Sequence, residues 1–261
     1  MYQLQLDGIL QAARIRGKLA SYRAKLEKSI QLCEDALASH KAPYVALSGG
    51  KDSVAMAYIV DEAARRCGRD FTLWLHASDA SFPGTVETCQ RVADQTGRRL
   101  DVSMCRTSAF DMLSMDRVRA FGKQGIFFDE VRRYAQDKDL AFVGTRAAES
   151  KRRRSAAKAH GDSFYSRSMG DVDVVCPMQW FDLVDVFAAI LHYNAPIHPI
   201  YYKIPVNTKD ANANGEPQFI RLSYVTSRDL WDAGTLYFIK VNYPDLYARV
   251  IEHLPDASIY T

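Results

Sequence analysis

Tyr44-Val45-Ala46-Leu47 is a short apolar run that passes without a spacer into Ser48-Gly49-Gly50-Lys51-Asp52-Ser53. Directly afterwards Val54, Met56, Ala57, Ile59 and Val60 set an apolar helical pattern. A continuous apolar run of this length is the mark of a strand buried in a parallel sheet. Strand, Gly-Gly turn and helix in immediate succession form the opening of an α/β unit. The turn then lies at the carboxyl end of a strand, where open α/β sheets bind their ligands.

The rest of the chain repeats that alternation. Phe71 to His76, Leu100 to Met104, Leu140 to Val143 and Val172 to Cys176 read as strands. Thr85 to Gln95, Phe128 to Asp137 and Leu183 to Tyr193 read as helices. The expected fold is α/β: a doubly wound, mainly parallel sheet with helices on both faces. An N-terminal helix and a small C-terminal helical extension flank it. In the first segment Leu19, Tyr22, Leu26, Ile30, Cys33 and Leu37 recur at spacings of three and four, with Pro43 ending the helix. Its apolar face is expected against the main domain or a partner subunit, which leaves a homodimer open. The four asparagines, the glycine and Pro217 between Asn207 and Gln218 read as a loop. An apolar rhythm resumes at Leu230, Trp231, Leu236, Tyr237 and Ile239, and a last helix is expected from Pro244 to Leu254. The expected division is 1–40, 41–205 and 206–261.

Composition narrows the setting. The 261 residues are 48% hydrophobic and 25% charged, as in ordinary globular proteins. A net charge of +3 is too weak to point to nucleic acid as the partner. The five cysteines never form a C-x-x-C pair, which argues against a disulfide framework and a local metal site. Asp7, Gln11 and Arg14 stand where a signal peptide needs an apolar core, and no window approaches the length of a membrane span. A soluble, cytoplasmic protein is expected, with no membrane contact.

The chemistry concentrates in the turn after the first strand. Gly49 and Gly50 let backbone N–H groups approach a polyanion, and the following helix N-terminus adds a favourable dipole. Lys51 supplies a full charge, and Ser48 and Ser53 supply hydroxyls. The loop departs from the Walker pattern G-x-x-x-x-G-K-[ST], because Asp52 follows the lysine. Asp52 could hold Mg²⁺ or cap the helix. Two more segments follow strand ends: Asp79-Ala-Ser81-Phe82-Pro83-Gly84-Thr85, and Gly144-Thr145-Arg146 with Glu149-Ser150 and Arg153. Arginines there suit bidentate bonds to phosphate or sulfate. The run Lys151 to Arg154 also reads as a solvated basic face or a nucleic-acid patch. His76 reads as a strand-end residue or a base.

The hexapeptide resembles the PP-loop of the adenine nucleotide α-hydrolase-like superfamily, which includes ATP sulfurylase small subunits, phosphoadenylyl-sulfate (PAPS) reductases, FAD synthetases and tRNA-thiolating enzymes. Asp79 to Thr85 resembles the Asp-Thr-Gly...Phe-Pro-Glu-Thr stretch of its sulfate-assimilation branch, with Gly84 in place of the acid. Gly144-Thr-Arg146...Arg153 resembles its Gly-x-Arg...Ser-x-x-Arg signature. Pro177 to Val186, then Asn194 to Tyr201, resembles a block shared by ATP sulfurylase small subunits and PAPS reductases. Residues 238–247 resemble the tail of compact phage-like relatives.

The resemblance implies a ligand of the ATP or PAPS kind, bound by Ser48, Gly49, Gly50, Lys51, Asp52, Ser53, His76, Asp79 and Gly144. It implies cleavage of ATP between the α- and β-phosphates, with Lys51, Asp52, Arg146 and Arg153 as the catalytic set and Mg²⁺ on Asp52 and Asp79. An oxyanion such as sulfate would be adenylylated. The reductases of the family carry a nucleophilic thiol in a C-terminal Glu-Cys-Gly-x-His, and this chain has no cysteine after Cys176. Their loop is also usually degenerate, whereas here it is intact. Reduction would need an atypical or partner-supplied thiol, with a reductant protein. A GTPase partner, as for ATP sulfurylase small subunits, or a purely regulatory nucleotide-binding role, are the other readings.

Overall fold

The computed structural model describes residues 2–105, 108–110, 128–203, 222 and 235–260. Six strands form one sheet: β1 (Pro43–Ala46), β2 (Thr72–Ala77), β3 (Leu100–Met104), β4 (Leu140–Phe142), β5 (Ser163–Ser166) and β6 (Val172–Val175). Their order is β3-β2-β1-β4-β6-β5. All neighbours are parallel except β5, which runs antiparallel to β6 at the edge. The sequence reading anticipated the parallel strands and missed β5. Ser163-Phe-Tyr-Ser166 is only half covered, so it has no apolar run to announce it.

The helices are α1 (Tyr2–Arg16), α2 (Ala20–Ser39), α3 (Lys51–Cys67), α4 (Thr85–Thr96), α5 (128–134), α6 (Lys151–His160), α7 (Leu183–His192), α8 (Thr235–Asn242) and α9 (Pro244–His253). Strand alternation sorts the core into two layers. Val45, Leu73, Leu75, Phe142 and Val175 join a large cluster with α1, α2, α3, α4, α7, α8 and α9. Tyr44, Trp74, Ala141 and Val174 face the other way, towards Val131 and Ala135. There Trp74 and Tyr134 stack at 4.7 Å with an interplanar angle of 10°. Helices thus cover both faces, unequally.

The N-terminal segment is two helices rather than one. Gly17 to Leu19 separate them, and Leu19 lies exposed at the start of α2 instead of on its apolar face. The helix stops at Ser39, and Pro43 opens β1. Tyr22, Leu26, Ile30, Cys33 and Leu37 are buried as expected. Both helices are anchored by Asp185, which is fully buried at the start of α7. It accepts from Arg16 of α1 at 2.5 Å and from Lys25 of α2 at 2.6 Å. Asp185 also forms a reciprocal capping box with Asp182. The α3 helix ends at Gly68 (φ 65), whose N–H donates to Ala64 O. The loop expected at Asn207–Gln218, and Leu230 and Trp231, lie outside the described residues.

Candidate functional site

The loop leaving β1 turns into α3 through Gly49 and Gly50. Gly49 has φ 74, and a Cβ there would stand 3.2 Å from Thr85 O and 3.4 Å from Cys89 Sγ. Only glycine suits that position. Gly50 is the N-cap residue of α3. Neither glycine donates its N–H to another described residue. The turn therefore offers donors beside the positive end of a helix. Ser53 shapes it from within. Its hydroxyl donates to Gly50 O at 3.0 Å, and its Oγ accepts the Ser48 N–H at 3.1 Å.

Three charges sit at the start of α3. Lys51 Nζ lies 2.6 Å from Asp52 Oδ2, and Arg146 Nε lies 2.6 Å from Asp52 Oδ1. Burial alone would raise the Asp52 pKa, but Arg146 and Lys51 outweigh it and hold the carboxyl down to about 2. The carboxylate is thus ionised at neutral pH and the trio carries one surplus positive charge. Arg146 is buried, and it also donates through Nη1 to Phe181 O at 3.2 Å. Its N–H donates to Glu149 Oε2 at 3.0 Å, and Glu149 also takes the Arg153 guanidinium. Ser150 caps α6 by accepting the Arg153 N–H at 3.1 Å. Gly144 brings the β4 end against the loop, since a Cβ there would lie 3.1 Å from Ser53 N.

Tyr201 completes the corner, and sequence reasoning passed it over as part of a packed block. Its hydroxyl accepts the Lys51 N–H at 3.0 Å. Burial and the nearby Asp52 push its pKa well above the ordinary value, so it stays neutral. A short turn, Pro199–Tyr202, delivers it. His198 fixes that turn: Nδ1 accepts the Ile200 N–H at 3.0 Å, and Nε2 lies 3.2 Å from Thr85 Oγ1. Burial lowers the His198 pKa to about 4.

The other expected residues stand in different roles. His76 ends β2 on the face of Trp74, with ring centroids 6.0 Å apart, and burial lowers its pKa. Asp79 accepts from Ser108 Oγ at 2.5 Å and from Ala109 N–H at 2.8 Å, which pins residues 108–110. Both oxygens of Asp52 face cations and both of Asp79 face these donors. The two do not fit a shared Mg²⁺ site. Among the described residues no group of three or more His, Cys, Asp or Glu could hold a metal ion. A cavity of about 400 Å³ lies away from the loop, between β2, β3 and α5, with Arg99 paired to Asp101 and Lys138 to Asp137.

Strand-end loop, glycine turn and cationic corner together make an α/β protein with backbone donors and positive charge gathered at one strand end. Residues 42–223 match the phosphoadenosine phosphosulfate reductase domain family, and the chain belongs to that family. No curated protein matches it by sequence. Solved structures similar in fold include the U34-tRNA thiolase NcsA from Methanococcus maripaludis, with a TM-score of 0.53 and 14% identity over 90% of this chain and 80% of that one. The NMN synthetase from Francisella tularensis has a TM-score of 0.50 and 14% identity over 89% and 95%. The Candida glabrata FMN adenylyltransferase, in complex with FAD and inorganic pyrophosphate, has 0.51 and 12% over 74% and 67%. Among the described residues no helix is long and apolar enough to cross a membrane.

Proposed function

We propose that this chain binds ATP at the carboxyl ends of β1, β2 and β4, and cleaves it between the α- and β-phosphates to adenylylate an oxyanion such as sulfate. The observation that carries the reading is the intact loop. Gly49 at φ 74 turns the backbone, and Lys51 stands at the first helical position with a surplus positive charge around it. The Gly49 and Gly50 N–H groups and Lys51 would cradle the β- and γ-phosphates. Lys51 would exchange Asp52 for phosphate and offset charge on the departing pyrophosphate. An oxygen of the acceptor attacks the α-phosphorus, and the bond to the pyrophosphate oxygen breaks. Catalysis is positioning plus electrostatics. Adenine would lie on backbone of β1 and around His76. Arg153, partly exposed beside Glu149, is the candidate for leading the acceptor in. Arg146, buried and doubly bound, would hold Asp52 in place. Mg²⁺ would come with the nucleotide, held by its phosphates and water.

The fold is shared with an adenylyltransferase crystallised with pyrophosphate, which supports this direction. A reductase using Cys176 is disfavoured. That thiol is buried and its pKa is pushed up to about 12, so it is not a thiolate at neutral pH.

The test is to incubate the protein with α-labelled ATP and Mg²⁺, with and without sulfate, and to separate the products. An adenylylated product with stoichiometric pyrophosphate supports the proposal. Release of ADP, or ATP bound but intact, overturns it.

A further inference from the structure

α6 is an unusual helix for stability. Its sequence is KRRRSAAKAH, and only Ala157 is buried. Four cations, Lys151 to Arg154, crowd the first turn with no acid among them. The helix dipole disfavours cations at that end, and like charges three and four residues apart repel. Arg153 is neutralised by Glu149. Lys151, Arg152 and Lys158 are exposed and form no ion pair among the described residues. Lys151 and Lys158, two turns apart, share one exposed side.

An exposed aromatic lies at the C-terminal end of the same helix. Trp180 is 48% exposed, and its indole N–H donates to Asp162 Oδ1 at 2.8 Å, just past the end of α6. The neighbouring Gln179 holds it there, because its side chain donates to Ala157 O at 3.3 Å and Gly161 O at 2.8 Å. The half-exposed indole at one end of α6 and the exposed cations along it offer a stacking surface and positive charge on the same segment.

We propose that α6 and Trp180 form a docking surface for single-stranded nucleic acid. Lys151, Arg152 and Lys158 follow the phosphodiester backbone, and a base stacks on Trp180. The sequence-tolerant pairing of a cationic track with an aromatic platform is how single strands are held. A duplex, whose bases are already stacked, would gain only the charge term. The weak net charge of the whole chain is compatible with this surface, since acids elsewhere cancel its charge. α6 begins directly after the Ala147–Glu149 turn that follows Arg146, so a bound strand would pass the mouth of the phosphate loop.

The test is fluorescence anisotropy with labelled oligo(U), oligo(dT) and a duplex of about 20 nucleotides, without ATP, over a salt titration. The first variant removes Lys151, Arg152 and Lys158 to alanine. The second is Trp180→Ala. The control removes Arg14, Lys18 and Lys28, exposed cations at the other end of the chain. All are checked for fold by circular dichroism. Each phosphate contact contributes about 0.7 to the salt slope of single-strand binding, so the α6 triple should lower the slope by about 2. Trp180→Ala should weaken single-strand binding on the order of tenfold and leave its slope unchanged. RNA and DNA are distinguished by the two single strands. No single-strand binding at low salt, equal loss in the control triple, or tighter binding of the duplex would overturn the proposal. Because ATP is absent, none of these outcomes depends on the nucleotide reading.

Discussion

Arg146 Nε donates to Asp52 Oδ1 at 2.6 Å and joins two residues 94 positions apart in sequence. Arg146 lies four residues beyond β4, at the start of the Ala147–Glu149 turn, and Asp52 lies in the first turn of α3, just after the Gly49-Gly50 turn. The pair fastens those two strand-end segments into one corner. Lys51 sits on the other oxygen of the same carboxylate, so Asp52 is the hinge of the charge arrangement.

The two ends of that bridge should therefore differ in cost. Asp52→Asn strips the counter-charge from a buried guanidinium, which costs about 3 kcal/mol or more. Arg146→Met leaves Lys51 to neutralise Asp52 and should cost less. Urea denaturation of both variants would read the order, and a larger loss for Arg146→Met would contradict it.

Asp52 also carries an acid dependence. Its folded pKa of about 2 lies below an unfolded value near 3.8. A depressed carboxyl contributes stability that is present above the unfolded value and is lost as pH falls through the folded one. About 2 kcal/mol should disappear between roughly pH 4 and pH 2. In Asp52→Asn that part of the acid slope should be missing from chemical denaturation curves.

His198 gives a second dependence, nearer neutrality. Its folded pKa is about 4 against an ordinary 6.5. Between those values the unfolded chain takes up a proton that the folded one refuses, so stability falls with pH. Because Nδ1 accepts from Ile200 N–H, protonation there would break the bond that shapes the Tyr201 turn. About 2 kcal/mol should be lost from pH 7.5 to pH 5. His198→Asn, whose side-chain oxygen can accept the same bond, should flatten the curve over that range. An unchanged slope would discount the buried neutral imidazole.

The loop tolerates little. Gly49→Ala forces a side chain into φ 74 and against Thr85 O, and should cost about 1–2 kcal/mol with loss of nucleotide binding. Gly144→Ala puts a methyl 3.1 Å from Ser53 N and 3.2 Å from Asp52 C. It should weaken nucleotide binding by displacing the two segments, with the melting temperature less affected. Isothermal titration with ATP would separate the two effects.

Lys51→Ala should abolish pyrophosphate release, by at least about a hundredfold in kcat/KM. Arg146 still neutralises Asp52 in that variant, so a thermal melt close to wild type is expected. Turnover equal to wild type would remove the loop from the chemistry.

Much of this was readable from the chain. The five parallel strands were legible from their apolar residues, continuous at Tyr44–Leu47 and Leu140–Val143 and alternating in β3, and the turn after β1 from a glycine pair between strand and helix. β5 escaped because Ser163-Phe-Tyr-Ser166 holds only two adjacent aromatics between serines, whereas β3 at the opposite edge keeps Leu100, Val102 and Met104 at alternate positions. Tyr201 escaped because its hydroxyl reaches Lys51 N–H only through a turn fixed by Thr85 and His198, residues 113 positions apart. Arginine at 146 was legible as a charge beyond a strand end, but its burial against Phe181 O and Asp52 was not. Pairing partners so remote leave no local periodicity.

The strand that leads into the Gly49-Gly50 turn precedes the other five strands of the sheet along the chain and lies inside it, between β2 and β4. Tyr44 pairs on one side with Thr72 and on the other with Ala141. During synthesis β1 can therefore acquire one neighbour early, but its second edge stays open until the chain has grown past residue 141. An unpaired apolar edge of that kind is a site for wrong pairing. Until β4 arrives, the nascent chain would need shielding, and truncations before it should be prone to aggregate.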